Sequence, residues 1–163
     1  MEAPSEVGPL VAQMAPPIKV GRSIRPASVH EPAPGTFIFD MGENFAGLAR
    51  LRVEGPAGTR VALRYGELLH DDGTLNPMTA VCGQIKNRER PPDPKRPATA
   101  WQEDVYILKG DGAETYVPRF TFRGFRYVEV TGFPGTLSLE NLEGLVMYSA
   151  VEPAGTFRCG NDL

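Results

Sequence analysis

Three acidic residues, Asp40, Glu43 and Glu67, are placed where a pair of carboxyl groups could act on a bound substrate. Hydrolysis of a glycosidic bond needs two carboxyl groups, about 5–5.5 Å apart for retention or about 6.5–9.5 Å apart for inversion. Asp40 ends a short apolar run shortly before a glycine, and Glu67 stands where a strand pattern gives way to a loop. Carboxylates at such positions cap turns by accepting hydrogen bonds from backbone N–H groups. We therefore predict structural roles for these acids and no catalytic residue in the chain.

The two histidines, His30 and His70, are the natural candidates for a metal centre or a catalytic base. Neither has an acidic or thiol group at metal-ligand spacing, and no serine lies in a G-x-S-x-G elbow. The run Asp71-Asp72-Gly73 could contact a calcium ion, but an Asp-Gly turn accounts for the same residues without a metal. The sequence therefore predicts no metal site and no cofactor.

The only tryptophan, Trp101, and a group of arginines could bind a sugar ring or a neighbouring domain. An exposed indole can stack on the apolar face of a sugar, although core packing or cover for an interdomain surface is the alternative. Arginines crowd the aromatic-rich segment 119–127, where they can stack on rings or pair with acids of a neighbouring strand or domain. The candidate set for sugar or interdomain contact is Trp101, Arg123, Arg126, Asp40, Asn44 and Glu67.

The elements that must position these side chains are short strands separated by turns. The chain has 163 residues, with 18 glycines and 16 prolines scattered between short apolar runs, which indicates many turns. Residues 1–17 form a predicted linker or extended segment, residues 18–160 a β module, and residues 70–102 a long surface excursion from it. No run of helical period exceeds about three turns. Because each strand has one apolar face, we predict an all-β, antiparallel, two-sheet sandwich resembling a jelly roll.

Alternating apolar and polar positions give specific predictions about pairing. Residues 36–40 and 48–54 form two strands that flank a loop, and the second makes a hairpin with residues 61–68. Residues 104–109 and 114–118 close another hairpin. In the strand 125–131, Phe125, Tyr127 and Glu129 share one face, while Arg126, Val128 and Val130 share the other. Further strands are predicted around Val146 and at 155–158, and residues 138–142 form at most one helical turn.

The composition argues against several partners. The formal net charge is -3, and the basic residues are interspersed with acids, so a nucleic-acid partner is not expected. No apolar run approaches the roughly 20 residues that span a bilayer, and the N-terminus lacks a secretory pattern. A membrane partner is therefore not predicted, and the compartment stays open.

A series of blocks in a fixed order resembles the β-sandwich module of bacterial α-L-rhamnosidases. The resemblance covers the chain from about Pro16 to its end, apart from the Pro- and Arg-rich stretch before Trp101, which looks like an insertion. The blocks that carry it are FDMGENFAG (39–47), GPAGT (55–59), YGELL (65–69), DGTL (72–75), DVYILKG (104–110), PRFTFRGFRYVEV (118–130) and GTFRCGN (155–161).

The resemblance implies that the sandwich precedes an (α/α)₆ barrel whose acids hydrolyse rhamnosides with inversion. It also implies that residues 161–163 begin the connection to that barrel, which is then the partner of this module within one polypeptide. No catalytic acid of the family has a matching position in this chain.

Three functions follow for testing. The first is a non-catalytic module that buttresses the catalytic barrel or borders its pocket. The second is a carbohydrate-binding module for rhamnose-containing glycans. The third, an independent lyase or esterase on a β scaffold, is the least favoured because no nucleophile or base can be named for it.

Overall fold

The computed structural model describes residues 8–9, 11–83 and 99–160, and β-strands dominate this part of the chain. Its helical elements in the described ranges are two single 3₁₀ turns, Pro77–Thr79 and Leu139–Asn141. The second confirms the single turn predicted there. The strands are β1 (Ile18–Ile24), β2 (Ser28–Ala33), β3 (Thr36–Glu54), β4 (Arg60–Gly66), β5 (Leu68–Leu69), β6 (Leu75–Asn76), β7 (Cys82–Gly83), β8 (Thr99–Ala100), β9 (Glu103–Ile107), β10 (Ala113–Tyr116), β11 (Arg123–Thr131) and β12 (Leu142–Ser149).

The longest strand, β3, organises the fold. Eight strands form one antiparallel sheet in the order β1-β12-β3-β11-β4-β9, with β2 and β10 also paired to β3. The first part of β3 pairs with β2 and β11, and its last part pairs with β12 and β10. The strands β2, β11, β4 and β9 therefore form one layer, and β1, β12 and β10 form the second, with β3 shared between them.

The layers close over a common apolar core, so the all-β antiparallel sandwich is confirmed as a single curled sheet. Alternation supplies the core residues, because successive side chains of a strand point to opposite faces. Phe39 of β3 and Val128 of β11 face each other in register and are fully buried. Aromatic rings extend the core, since Phe125 lies 4.5 Å from Phe45 and 4.9 Å from Tyr65 between ring centroids. Tilted pairs at this separation add to the free energy gained from burial alone.

Both predicted hairpins are wrong. The strand β4 pairs with β11 and β9 rather than with β3, and β10 pairs with β3 rather than with β9. The turns at 55–59 and 108–112 therefore carry the chain from one layer to the other. In a sandwich each strand buries one face against the opposite layer whichever strand lies beside it, so the apolar pattern does not distinguish these crossings from hairpins.

A large bulge interrupts β3 and corrects two further predictions. Phe125 pairs with Phe45 and Tyr127 pairs with Asp40, so residues 41–44 oppose Arg126 alone. The predicted strands 36–40 and 48–54 are thus parts of one strand, joined by the bulge rather than by a loop. The bulge also reverses the alternation of β11, because Phe125 and Val128 are both buried in the core. The predicted face shared by Phe125, Tyr127 and Glu129 is therefore wrong.

The first part of the surface excursion packs on the outer side of the first layer. The β5–β6 hairpin places the Gly73 carbonyl oxygen 3.0 Å from His30 Nε2, and Leu75 is buried against Gly66. Residues 84–98 of the predicted excursion lie outside the described residues. At the other end of the chain, residues 155–158 form no strand, which corrects that prediction.

Candidate functional site

The candidate contact residues gather at one end of the first layer, which we call the bulge end. Neighbouring antiparallel strands run in opposite directions, so the start of β11, the end of β4 and the start of β9 meet at the same end of the sheet. The bulge of β3, residues 41–44, lies beside the start of β11. The topology therefore brings together side chains that are separated by up to 86 positions in the sequence.

Asp40 and Arg126 form a two-point ion pair across the bulge. Arg126 Nε donates to Asp40 Oδ1 and Arg126 Nη2 to Asp40 Oδ2, both at 2.8 Å. Asp40 Oδ1 also accepts the backbone N–H of Gly42 at 2.7 Å. The hydrogen bonds from the Arg126 guanidinium are the main reason that the pKa of Asp40 lies below its usual value. Asp40 therefore closes the turn that opens the bulge and stays ionised.

Asn44 and Glu67 make the second contact at this end. Asn44 Nδ2 donates to Glu67 Oε1 at 3.2 Å, and the backbone N–H of Glu67 donates to Thr79 Oγ1 at 3.0 Å. Gly124 of β11 lies next to the same carboxylate. The bulge is thus connected to the end of β4 and to the 3₁₀ turn at Pro77–Thr79.

Arg123 lies under the bulge end in a partly desolvated cluster with Asp104 and Tyr65. Its Nη2 donates to Asp104 Oδ1 at 2.9 Å and to the Glu103 carbonyl oxygen at 3.2 Å, and its guanidinium carbon lies 5.7 Å from the centre of the Tyr65 ring. Burial, reinforced by the negative charge of Asp104, raises the pKa of Tyr65 well above its usual value. Within the described ranges, four buried atoms here have no hydrogen-bond partner: Tyr65 Oη, Gln102 Oε1, Asp104 Oδ2 and Arg123 Nε.

Trp101 stands on the outer side of the first layer and is 46% exposed. Arg64 lies against its ring, with the guanidinium carbon 5.3 Å from the ring centre. The same guanidinium pairs with Glu129 at 3.2 Å and with Glu103 at 4.0 Å. Trp101 therefore lies outside the core, and one face of its indole ring is covered by the Arg64 guanidinium, which Glu103 and Glu129 hold in place.

The structure unites four of the six candidate residues, Asp40, Asn44, Glu67 and Arg126, around the bulge. Arg123 lies beneath them on the core side, and Trp101 is separate on the outer side. Sequence reasoning missed the partners Arg64, Tyr65 and Asp104. The residue pattern of β4 and β9 carries no clear signal for them, and only the pairing of β4 with β9 and β11 shows which side chains meet.

The acids of the bulge end are engaged in ways that do not suit acid–base hydrolysis. The described carboxyl groups whose pKa is shifted, Asp40, Glu43, Asp72 and Glu114, all have it lowered by hydrogen bonds, whereas a general acid needs a raised pKa. Glu43, for example, pairs with Arg22 through both oxygens at 2.7 and 2.8 Å. No group of three or more His, Cys, Asp or Glu residues suited to a metal occurs among the described positions. In the same part of the chain, no helix has the length and apolar character needed to cross a bilayer.

A curled antiparallel sheet that closes over one apolar core, with its bulge-end acids held by arginines and amides, defines a non-catalytic β-sandwich module. The chain belongs to the family of bacterial α-L-rhamnosidase concanavalin-like domains, which matches residues 30–148. It is 46% identical over 141 residues to the α-L-rhamnosidase of Streptomyces avermitilis, covering 86% of this chain and 12% of that protein.

Solved structures give the same result. The α-L-rhamnosidase of Dictyoglumus thermophilum superposes with a TM-score of 0.75 at 40% identity, covering 94% of this chain and 16% of that one. The Streptomyces avermitilis enzyme complexed with L-rhamnose superposes with a TM-score of 0.72 at 43% identity, covering 86% and 12%. This chain therefore spans less than a fifth of the length of each of these relatives.

Proposed function

We propose that this chain is a non-catalytic module of an α-L-rhamnosidase that supports or borders a catalytic barrel in the same polypeptide. The parent protein would release terminal α-L-rhamnose from glycosides. The observation that carries the proposal is the family match, which places a β-sandwich of this kind in a small part of much longer α-L-rhamnosidases. The acids of the bulge end support it, because they stabilise the bulge rather than stand free for catalysis.

Electrostatics give the physical reason for expecting no hydrolysis by this chain. A glycosidase needs one carboxyl group that is protonated near neutral pH, and burial or a nearby like charge normally supplies the raised pKa. At the bulge end an arginine faces Asp40, and an amide group faces Glu67. Asp40 is therefore held as an anion that cannot donate a proton to a leaving group.

The test is hydrolysis of an aryl α-L-rhamnoside by the purified chain, followed as release of the phenol. We expect no release above that of buffer, and we expect the Asp40→Asn and Glu67→Gln variants to be indistinguishable from the unaltered chain. Activity that co-purifies with the chain and falls in either variant would overturn the proposal.

A second candidate function, binding of rhamnose-containing glycans, is supported by Trp101. Its indole is half-exposed and is held in place by the Arg64 guanidinium, which provides a rigid apolar surface for a sugar ring. As the only tryptophan, it also reports on binding through its own fluorescence.

Titration calorimetry with L-rhamnose at millimolar concentration tests this candidate, together with the fluorescence of Trp101. Sugar binding predicts heat that is lost in Trp101→Ala and kept in Phe157→Ala, which removes an exposed aromatic ring from another segment. No heat and no fluorescence change at these concentrations would rule it out.

A further inference from the structure

Phe120 combines two features that are rarely found together in a soluble domain. Its side chain is fully exposed, and its backbone has a φ of 59°, the only positive φ of a non-glycine residue in the described ranges. A bulky residue in the left-handed region is strained, and such strain concentrates at sites of binding or catalysis. The chain thus holds a large apolar ring in water by means of an unfavourable backbone conformation.

Phe120 is the most prominent part of a larger apolar surface, which we call the apolar end surface: Leu68, Trp101, Phe120 and Phe122. All four are exposed large hydrophobic residues at the bulge end. Phe122 directly precedes β11, Leu68 lies two residues after β4, and Trp101 lies two residues before β9. These three strands are consecutive neighbours in the sheet, so the segments that carry these residues meet at one end of it.

The base of this surface is rigid. Arg123 follows Phe122 directly, and its guanidinium binds the Glu103 carbonyl oxygen and Asp104 at the start of β9. The backbone N–H of Tyr65 donates to the Gln102 carbonyl oxygen at 3.0 Å, which fixes the segment that carries Trp101. A surface held in place before binding loses less conformational entropy when a partner covers it.

We propose that the apolar end surface docks against the rest of a longer rhamnosidase polypeptide, with Phe120 as the anchor that enters an apolar pocket of that partner. This inference rests on the proposed function. The partner is argued from length, because the chain spans only 12% of the Streptomyces avermitilis enzyme and 16% of the Dictyoglumus thermophilum enzyme, so such a polypeptide has ample surface to cover this end. An aromatic anchor in a desolvated pocket is the usual source of binding energy at protein interfaces.

Hydrogen exchange tests the docking directly. The full-length Streptomyces avermitilis enzyme is rebuilt with this chain in place of its matching segment, and amide exchange is compared with that of the separate chain. We expect exchange at residues 119–122 to slow by about tenfold or more in the rebuilt enzyme, since docking excludes water from these amides. Residues 139–141, far from the bulge end along β3, serve as the internal reference and should exchange equally in both. Equal exchange of residues 119–122 in the two proteins would overturn the inference.

The Phe120→Gly variant provides an independent test with opposite signs. In the separate chain, glycine relieves the positive φ at no cost in buried surface, so the unfolding temperature should stay equal or rise. In the rebuilt enzyme, loss of the anchor should lower the unfolding temperature and speed proteolysis between this module and the rest. Leu139→Ala, which removes another exposed apolar side chain, should not affect that proteolysis. A Phe120→Gly variant that behaves alike in both proteins would contradict the inference.

These outcomes are distinct from those of the proposed function. Rhamnoside hydrolysis by the separate chain would refute the non-catalytic assignment whether or not residues 119–122 are protected. Conversely, unprotected residues 119–122 in an active rebuilt enzyme would refute the docking surface and leave the non-catalytic assignment in place.

Discussion

The pair Arg123–Asp104 allows a quantitative test of how this module uses charge in its interior. The two side chains are 17% and 10% exposed and share one hydrogen bond of 2.9 Å. Asp104 Oδ2 and Arg123 Nε lack partners in the described part of the chain, so the pair is imperfectly compensated for its loss of hydration. Removing one partner leaves an isolated charge beside the Tyr65 ring, whereas removing both leaves none.

The single variants Arg123→Met and Asp104→Leu should each lower the free energy of unfolding by about 3 kcal/mol, the lower end of the range for breaking a buried pair, because neither side chain is fully buried. The double variant should lie within about 1 kcal/mol of the unaltered chain, since two apolar side chains of similar volume then fill the same space. Against a domain stability of about 5–15 kcal/mol, the single changes remain measurable.

Urea unfolding followed by Trp101 fluorescence and by circular dichroism measures these values, with Asp104→Asn as a milder companion that keeps the side-chain shape. Equal losses in the double variant and in the sum of the singles would refute the reasoning, because the two residues would then act independently. A single variant with no measurable loss would do the same.

Three further predictions concern the bulge, the core and the close contact of the strands. Because Arg126 lowers the pKa of Asp40, the stabilisation by Asp40 is complete above its unfolded-state pKa of about 3.9 and is lost as the pH falls through the folded-state pKa. The urea midpoints of the unaltered chain and of Asp40→Asn should therefore converge below about pH 4. A difference between the two midpoints that stays constant with pH would contradict the assignment. Because burial raises the pKa of Tyr65, this residue should contribute nothing to the tyrosinate absorbance below about pH 10.5, so the titration curves of the unaltered chain and of Tyr65→Phe should coincide there. A smaller rise in tyrosinate absorbance near about pH 10 in Tyr65→Phe would contradict this prediction. Gly47→Ala should lower the free energy of unfolding by more than about 2 kcal/mol, because a Cβ there would lie 1.9 Å from the Leu145 carbonyl oxygen. Gly58→Ala, which has open space around it, should lower it by about 1 kcal/mol because of its positive φ. Equal free energies of unfolding in urea for the two variants would argue against a close contact at Gly47.

The sequence predicts the kind of element well and the partner of each element poorly. Alternation identifies strands such as 48–54 because a half-buried strand must expose every second side chain. The same alternation does not say which strand lies alongside, and nearness in the sequence favoured hairpins that the fold does not contain. The crossings between layers at 55–59 and 108–112 are a property of the whole sandwich, because hairpins would bury the apolar face of each strand equally well.

The candidate contact set shows the same division. Their places at strand ends predict structural roles for Asp40 and Glu67, and in the structure their carboxylates contact Arg126 and Asn44. The bulge that brings these four together could not be anticipated, because its residues alone do not reveal that they oppose a single position of β11. The strain at Phe120 was also beyond sequence reasoning, since nothing in the residue type requires a positive φ.

The length of β3 has a mechanical consequence. The 19-residue strand β3 belongs to both layers despite its bulge, so the layers cannot slide or separate without breaking its backbone hydrogen bonds on both edges. A force applied at the bulge end is therefore transmitted along β3 and moves the whole module as one rigid unit. In a longer polypeptide such a module would act as a stiff spacer and not as a hinge, and any bending would have to occur in the segments that join it to its neighbours.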